Sequence, residues 1–77
     1  MTSTVKAVAE IIEETCSQVR VPESDYDRPL KDLGVDSLDV AGIFLAIQER
    51  LGVRVPDEDI DGLNTARLIA TYLDRRK

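Results

Sequence analysis

Residues 32–52 read DLGVDSLDVAGIFLAIQERLG, and the order of residue types in this run predicts a helix with a defined start and stop. Gly34 permits a turn, Asp36 can accept a backbone N–H as N-cap, and Asp39 takes the third helical position, a variant of the capping box. The helix is expected to end at Leu51, with Gly52 as its C-terminal stop. At about 100° per residue, Val40, Ile43, Phe44, Ile47 and Leu51 share one side and form a core-facing stripe. Leu38, Ala41 and Leu45 form a second apolar row beside Ser37, well away from the first. Two readings fit that row: a central helix buried on both sides, or a surface that docks a partner. In so small a chain docking is favoured, because exposed apolar rows mark interaction sites.

On the N-terminal side, Val5, Val8, Ala9, Ile12, Cys16 and Val19 recur at three- and four-residue steps, opposite Lys6, Glu10, Glu13 and Ser17. This spacing predicts an amphipathic helix over 4–19, capped by Ser3 or Thr4. From 20 to 35 the periodicity vanishes, Pro22 and Pro29 interrupt any helix, and Tyr26, Leu30 and Leu33 are left to pin a long connector. On the C-terminal side, Val53 and Val55 lie in a short link between Gly52 and Pro56, and residues 57–61 form a brief helical turn. Asn64 or Thr65 then caps a last helix over 66–76, with Leu68, Ile69, Tyr72 and Leu73 facing inward and Arg75 and Arg76 at the negative end of its dipole. The fold expected is all-α, a four-helix bundle of three longer helices and one short one.

With 77 residues the chain buries about 60% of its unfolded surface, enough for one core and one domain over 1–77. An apolar share of 43% beside 32% charged residues suits a globular domain. The net charge of −5, with basic residues clustered only at Arg75, Arg76 and Lys77, argues against a nucleic-acid partner. No apolar run approaches the roughly 18 residues of a membrane span, and Met1-Thr2-Ser3-Thr4 does not open a signal peptide. The expectation is a cytoplasmic protein. The chain has no His, which removes the usual general base and imidazole metal ligand. That argues against a self-contained hydrolase, and the single Cys16 reads as a small core residue.

Ser37 follows a capping Asp at the first turn of the central helix, where a hydroxyl points outward and an attached anion would lie near unsatisfied backbone N–H groups. Such a position suits a phosphodiester. No His or nearby Lys activates Ser37 as a nucleophile, so any modification must come from another enzyme.

The run Asp32-Leu33-Gly34-Val35-Asp36-Ser37-Leu38-Asp39 closely resembles the phosphopantetheine attachment motif of acyl carrier proteins, whose core is Gly-x-Asp-Ser-Leu. The resemblance extends over the first helix, the connector, the 43–51 segment, the link at 52–56 and the acidic turn. It implies a discrete, monomeric four-helix carrier without catalysis of its own. A phosphopantetheinyl transferase using coenzyme A would convert Ser37 to a serine bearing 4'-phosphopantetheine, whose thiol holds acyl cargo as a thioester. It also implies that the second helix is the recognition helix, with Leu38, Ala41 and Leu45 as apolar contacts and Asp36, Asp39 and Glu49 as charges offered to basic patches on acyl-loading, condensing, modifying or acyl-transfer enzymes. The acyl chain would fold in beside this helix and the short turn, which nominates Ile43, Ile47, Ile60 and Leu63 as lining residues; ordinary core packing explains those four equally well.

The departures from the family pattern are informative. Gly42 and Gln48 stand where carboxylates are expected, Arg50 reverses another, and only Glu49 stays acidic on that stretch. A carrier for a polyketide, a modified lipid or another specialised product is therefore expected ahead of the housekeeping fatty acid cycle. Val35 and Asp39 argue against the peptidyl branch, which more often shows Gly-Gly before the Asp-Ser or His-Ser pair.

Two rivals belong to other classes. Asp57, Asp59, Asp61 and Gly62 imitate the start of an EF-hand loop, yet position twelve is Leu68 and Pro56 replaces the entering helix. An unmodified helical adaptor would use the row Leu38, Ala41 and Leu45 but leaves the motif at 34–38 as coincidence.

Overall fold

The computed structural model describes residues 3–76; Met1, Thr2 and Lys77, the last member of the basic run, lie outside them. Four α-helices follow in order, α1 (Thr4–Thr15), α2 (Ser37–Leu51), α3 (Asp57–Ile60) and α4 (Ala66–Arg76), with two 3₁₀ turns in the connector at Glu23–Asp25 and Leu30–Leu33. Among the described residues there is no strand.

Ser3 is the cap of α1, its side chain accepting from the Lys6 N–H at 3.3 Å. The helix stops at Thr15, short of the expected residue 19, because Cys16 leaves helical geometry at φ −116°, ψ 87°. A turn then folds back, with the Val19 N–H on the Cys16 carbonyl at 2.8 Å. Cys16 and Val19 remain buried through this turn. Glu13, expected on the solvent face, instead turns its carboxylate to the Val21 N–H at 2.8 Å. A side-chain oxygen thus satisfies a backbone donor that the broken helix ladder leaves over.

The central element is α1, which packs broadly on both α2 and α4. Its core residues Val8, Ile11 and Ile12 meet Ile43, Phe44 and Ile47 of α2 and Ile69, Ala70 and Leu73 of α4 in one buried cluster. Thr4 donates to Asp74 at 2.6 Å across the ends of α1 and α4, and Glu14 pairs with Arg50 across α1 and α2. Two positions in the expected core faces are corrected. Leu51 is exposed, since the chain reverses at Gly52 (φ 70°) and Val55 becomes the buried residue. Leu68 is exposed as well; the buried face of α4 runs through Ala66, Ile69, Ala70 and Leu73, which leaves Leu68 about 100° away from Ile69.

The connector is sewn to the start of α4. The Leu30 N–H bonds to the Asn64 carbonyl at 2.8 Å and the Arg67 N–H to the Tyr26 carbonyl at 3.0 Å. The Arg67 side chain pairs with Asp27 at 2.8 Å and lies 5.9 Å from the centre of the Tyr26 ring. Thr65, and not Asn64, caps α4, its hydroxyl accepting from the Leu68 N–H at 3.0 Å.

Candidate functional site

The site begins where the connector enters α2. Gly34 closes the second 3₁₀ turn at φ 98°, a left-handed conformation that glycine adopts without a Cβ penalty. Val35 is buried and fixes the chain against the core. Asp36 is the N-cap: its side chain accepts from the Asp39 N–H at 2.9 Å, and the Asp39 carboxylate answers at 3.4 Å on the Asp36 N–H. The capping box read from the sequence is present in full.

Ser37 is therefore the first helical residue and is exposed. Among the described residues its hydroxyl has no hydrogen-bond partner, and the backbone N–H groups of Ser37 and Leu38 take no acceptor from the chain. Two free donors thus sit at the positive end of a 15-residue helix. Among the described residues no side chain is hydrogen-bonded to the hydroxyl as a base.

Beside Ser37 opens a groove of about 660 Å³ between α2, the end of the connector and α3. Leu30, Val35, Val40, Ala41, Ile60 and Leu63 supply its apolar lining, while Lys31, Asp36, Asp57, Asp61 and Asn64 bring polar groups to it. This is within the volume range of small-molecule sites.

The residues singled out from sequence separate into three groups. Ser37, Asp36, Ala41, Ile60 and Leu63 come together at the groove. Leu38 and Leu45 face outward, 83% and 57% exposed, with Glu49 also exposed near the far end of α2. Ile43 and Ile47 are 0% exposed and sit in the core cluster, not among the residues that line the groove. Asp39 is half-buried and lines a separate, smaller depression of about 230 Å³ with Thr15, Cys16 and Gly34. Burial raises the Cys16 thiol pKa, and the carboxylates of Asp39 and Asp36 push it further the same way, which keeps the thiol protonated and unreactive.

Sequence reasoning missed Leu30, Lys31, Val35 and Val40 as groove residues. Val40, read as part of the core-facing stripe, is half-buried and reaches the groove as well, while the three connector residues carry no periodicity that reports where they point. The acidic turn has a different use from the one its EF-hand likeness suggests: Asp59 is bonded to Tyr72 and paired with Arg76 of α4. Among the described residues no cluster of three or more His, Cys, Asp or Glu side chains is arranged to hold a metal.

Compared with known proteins, residues 6–73 match the family model described as a phosphopantetheine attachment site. The chain is similar to an acyl carrier protein of Helicobacter pylori (strain G27), 34% identical over 70 residues that cover 91% of this chain and 85% of that one. An acyl carrier protein of Helicobacter hepaticus is 32% identical over 74 residues, covering 95% and 92%. A meromycolate extension acyl carrier protein of Mycobacterium leprae is 35% identical over 75 residues, covering 92% of this chain and 62% of that protein.

Proposed function

The chain belongs to the acyl carrier protein family, whose members are non-catalytic carriers, and from that premise we propose that Ser37 is the residue to which 4'-phosphopantetheine is attached. The observation that carries this reading is the exposed, unpartnered Ser37 hydroxyl at the first position of α2, opening onto a 660 Å³ groove. When attached, the group supplies a thiol that holds acyl cargo as a thioester.

The chain's own residues fit that group. The free Ser37 and Leu38 N–H groups face where a phosphodiester would stand, and the Asp36–Asp39 capping box holds the first turn rigid around it. The apolar lining by Val40, Ala41, Ile60 and Leu63 offers an acyl chain a place out of water. Outside the groove, Leu38 and Leu45 form the row that partner enzymes contact, with Glu49, and Asp36 at the groove, as the charges that guide them. These partners are a phosphopantetheinyl transferase, which uses coenzyme A, and enzymes that load, condense, modify or transfer acyl groups. We place the chain, as a single-domain monomer, in the cytoplasm with them.

The cargo is that of a polyketide or specialised lipid route. The exposed surface of α2 supports this: Gln48 and Arg50 stand where the family pattern has carboxylates, and Arg50 pairs with Glu14 of α1.

Intact-protein mass spectrometry after incubation with coenzyme A and a broad-specificity phosphopantetheinyl transferase tests the assignment. The mass should rise by one phosphopantetheine and stay unchanged in Ser37→Ala, whose circular dichroism melt should match the parent because Asp36 still caps the helix. An apo, folded chain that several transferases leave unmodified would overturn the reading.

A further inference from the structure

The short helix α3 forms one wall of the groove through Asp57 and Ile60, with Asp61 beside them, yet little in its own sequence holds it in place. It has four residues, no side-chain N-cap and no fully buried member. Its broad packing partners are few, since extensive helix contacts are those of α1 with α2 and α4. Apart from half-buried Ile60, the side-chain tie to the body of the molecule is Asp59. One Asp59 carboxylate oxygen accepts from the Tyr72 hydroxyl at 2.6 Å and pairs with Arg76 at 3.5 Å. Arg76 in turn lies over the Tyr72 ring, 5.0 Å from its centre. Three side chains from two helices thus converge on the outer side of the groove wall.

We propose that Asp59, Tyr72 and Arg76 form a latch that fixes α3 against α4 and so sets the width of the groove beside Ser37. Tyr72 and Arg76 are positioning residues: neither lines the groove, and both act on it through Asp59. The latch's role in cargo selection rests on the reading of Ser37 as the attachment residue. Its mechanical role does not. Releasing the carboxylate leaves α3 held by its chain links and by Ile60 and Leu63, so the wall opens locally while the three long helices stay packed.

The test is amide hydrogen exchange on the whole chain in Tyr72→Phe, which removes the hydroxyl and keeps the ring under Arg76, and in Arg76→Gln on the exposed surface. The amides to read are Ile60, Gly62 and Leu63, whose N–H groups bond to the carbonyls of Pro56, Asp59 and Ile60. Losing a hydrogen bond to a charged group should speed them roughly tenfold in Tyr72→Phe and less in Arg76→Gln, while the buried helical amides of Ile12 and Ile47 keep their rates. Unchanged rates at 60–63, or equal acceleration at all these amides, would overturn the latch.

For cargo, the chain is loaded with octanoyl-coenzyme A by the transferase, and the Ile60 and Val40 methyl resonances are compared with the unloaded chain. Loading should shift both in the parent, and Tyr72→Phe should reduce the Ile60 shift by at least half. Equal shifts in parent and variant would overturn the role in selection. Failure to load Ser37 at all, read by mass, defeats the functional assignment, and the exchange rates still decide the latch.

Discussion

Gly42 lies against Thr15: a Cβ built on this glycine would stand 3.3 Å from the Thr15 methyl carbon. The helix interior thus contains a glycine because the end of α1 comes close to α2 at this point, one residue from the Glu14 that pairs with Arg50. Gly42→Ala gains helix propensity of about 1 kcal/mol but crowds that methyl. In the parent background urea unfolding should show a net change within about 0.5 kcal/mol, since Thr15 is exposed and gives way only in part. In a Thr15→Ser background, which deletes the methyl, the full gain should appear. Equal effects in the two backgrounds would show that the contact has no energetic weight.

The capping box is asymmetric. The Asp36 carboxylate bonds at 2.9 Å and the Asp39 carboxylate at 3.4 Å, so Asp36→Ala should cost about 1 kcal/mol of stability and Asp39→Ala less. Urea titrations of both variants check the order. A larger loss for Asp39 would mean that its half-buried position beside Cys16, and not the cap, is what the fold needs.

On the outer row of α2, Leu38→Arg and Leu45→Arg should leave stability within about 0.5 kcal/mol, because both side chains are already largely in water. Transfer of acyl cargo to a partner enzyme should fall, mainly through a raised KM for the carrier. A variant that unfolds would assign the row to the core.

Tyr72 should titrate above the ordinary phenol value of about 10, because donation to the Asp59 carboxylate and burial favour the neutral phenol while Arg76 opposes them. The stabilisation is therefore complete below about pH 10 and is lost as the pH rises through the higher folded value. The chain has two Tyr, so a Tyr26→Phe variant isolates the Tyr72 phenolate absorbance. Adding Asp59→Asn should bring the midpoint down; an unmoved midpoint would separate the phenol from that carboxylate.

Much of this was legible in advance for a physical reason: caps and turns are local chemistry. Asp36 and Asp39 announce the start of α2 in their side chains and Gly52 its end in a backbone free to take positive φ, and the structure places both ends there. The break of α1 at Cys16 was not legible, since Cys16 and Val19 keep helical spacing and stay buried although the chain has left the helix. Leu68 was misplaced because an apolar residue one step off the buried face looks the same in sequence as one on it. The groove walls were only half visible for a related reason. Lys31 and Val35 reach the groove through a connector whose path is set by distant bonds such as Leu30 to Asn64, and no local pattern encodes them.

The pairing of α1 with α4 has a consequence for how the molecule is made. The first helix packs most extensively on the last, and Thr4 meets Asp74 at 2.6 Å across 70 residues of sequence. During synthesis α1 is made well before α4, so its apolar face must wait, with the connector and α2 as its early cover. The core closes only once residues 66–73 have been made, and a nascent chain stalled before residue 66 leaves the cluster around Val8, Ala9 and Ile12 open to whatever binds unfinished chains.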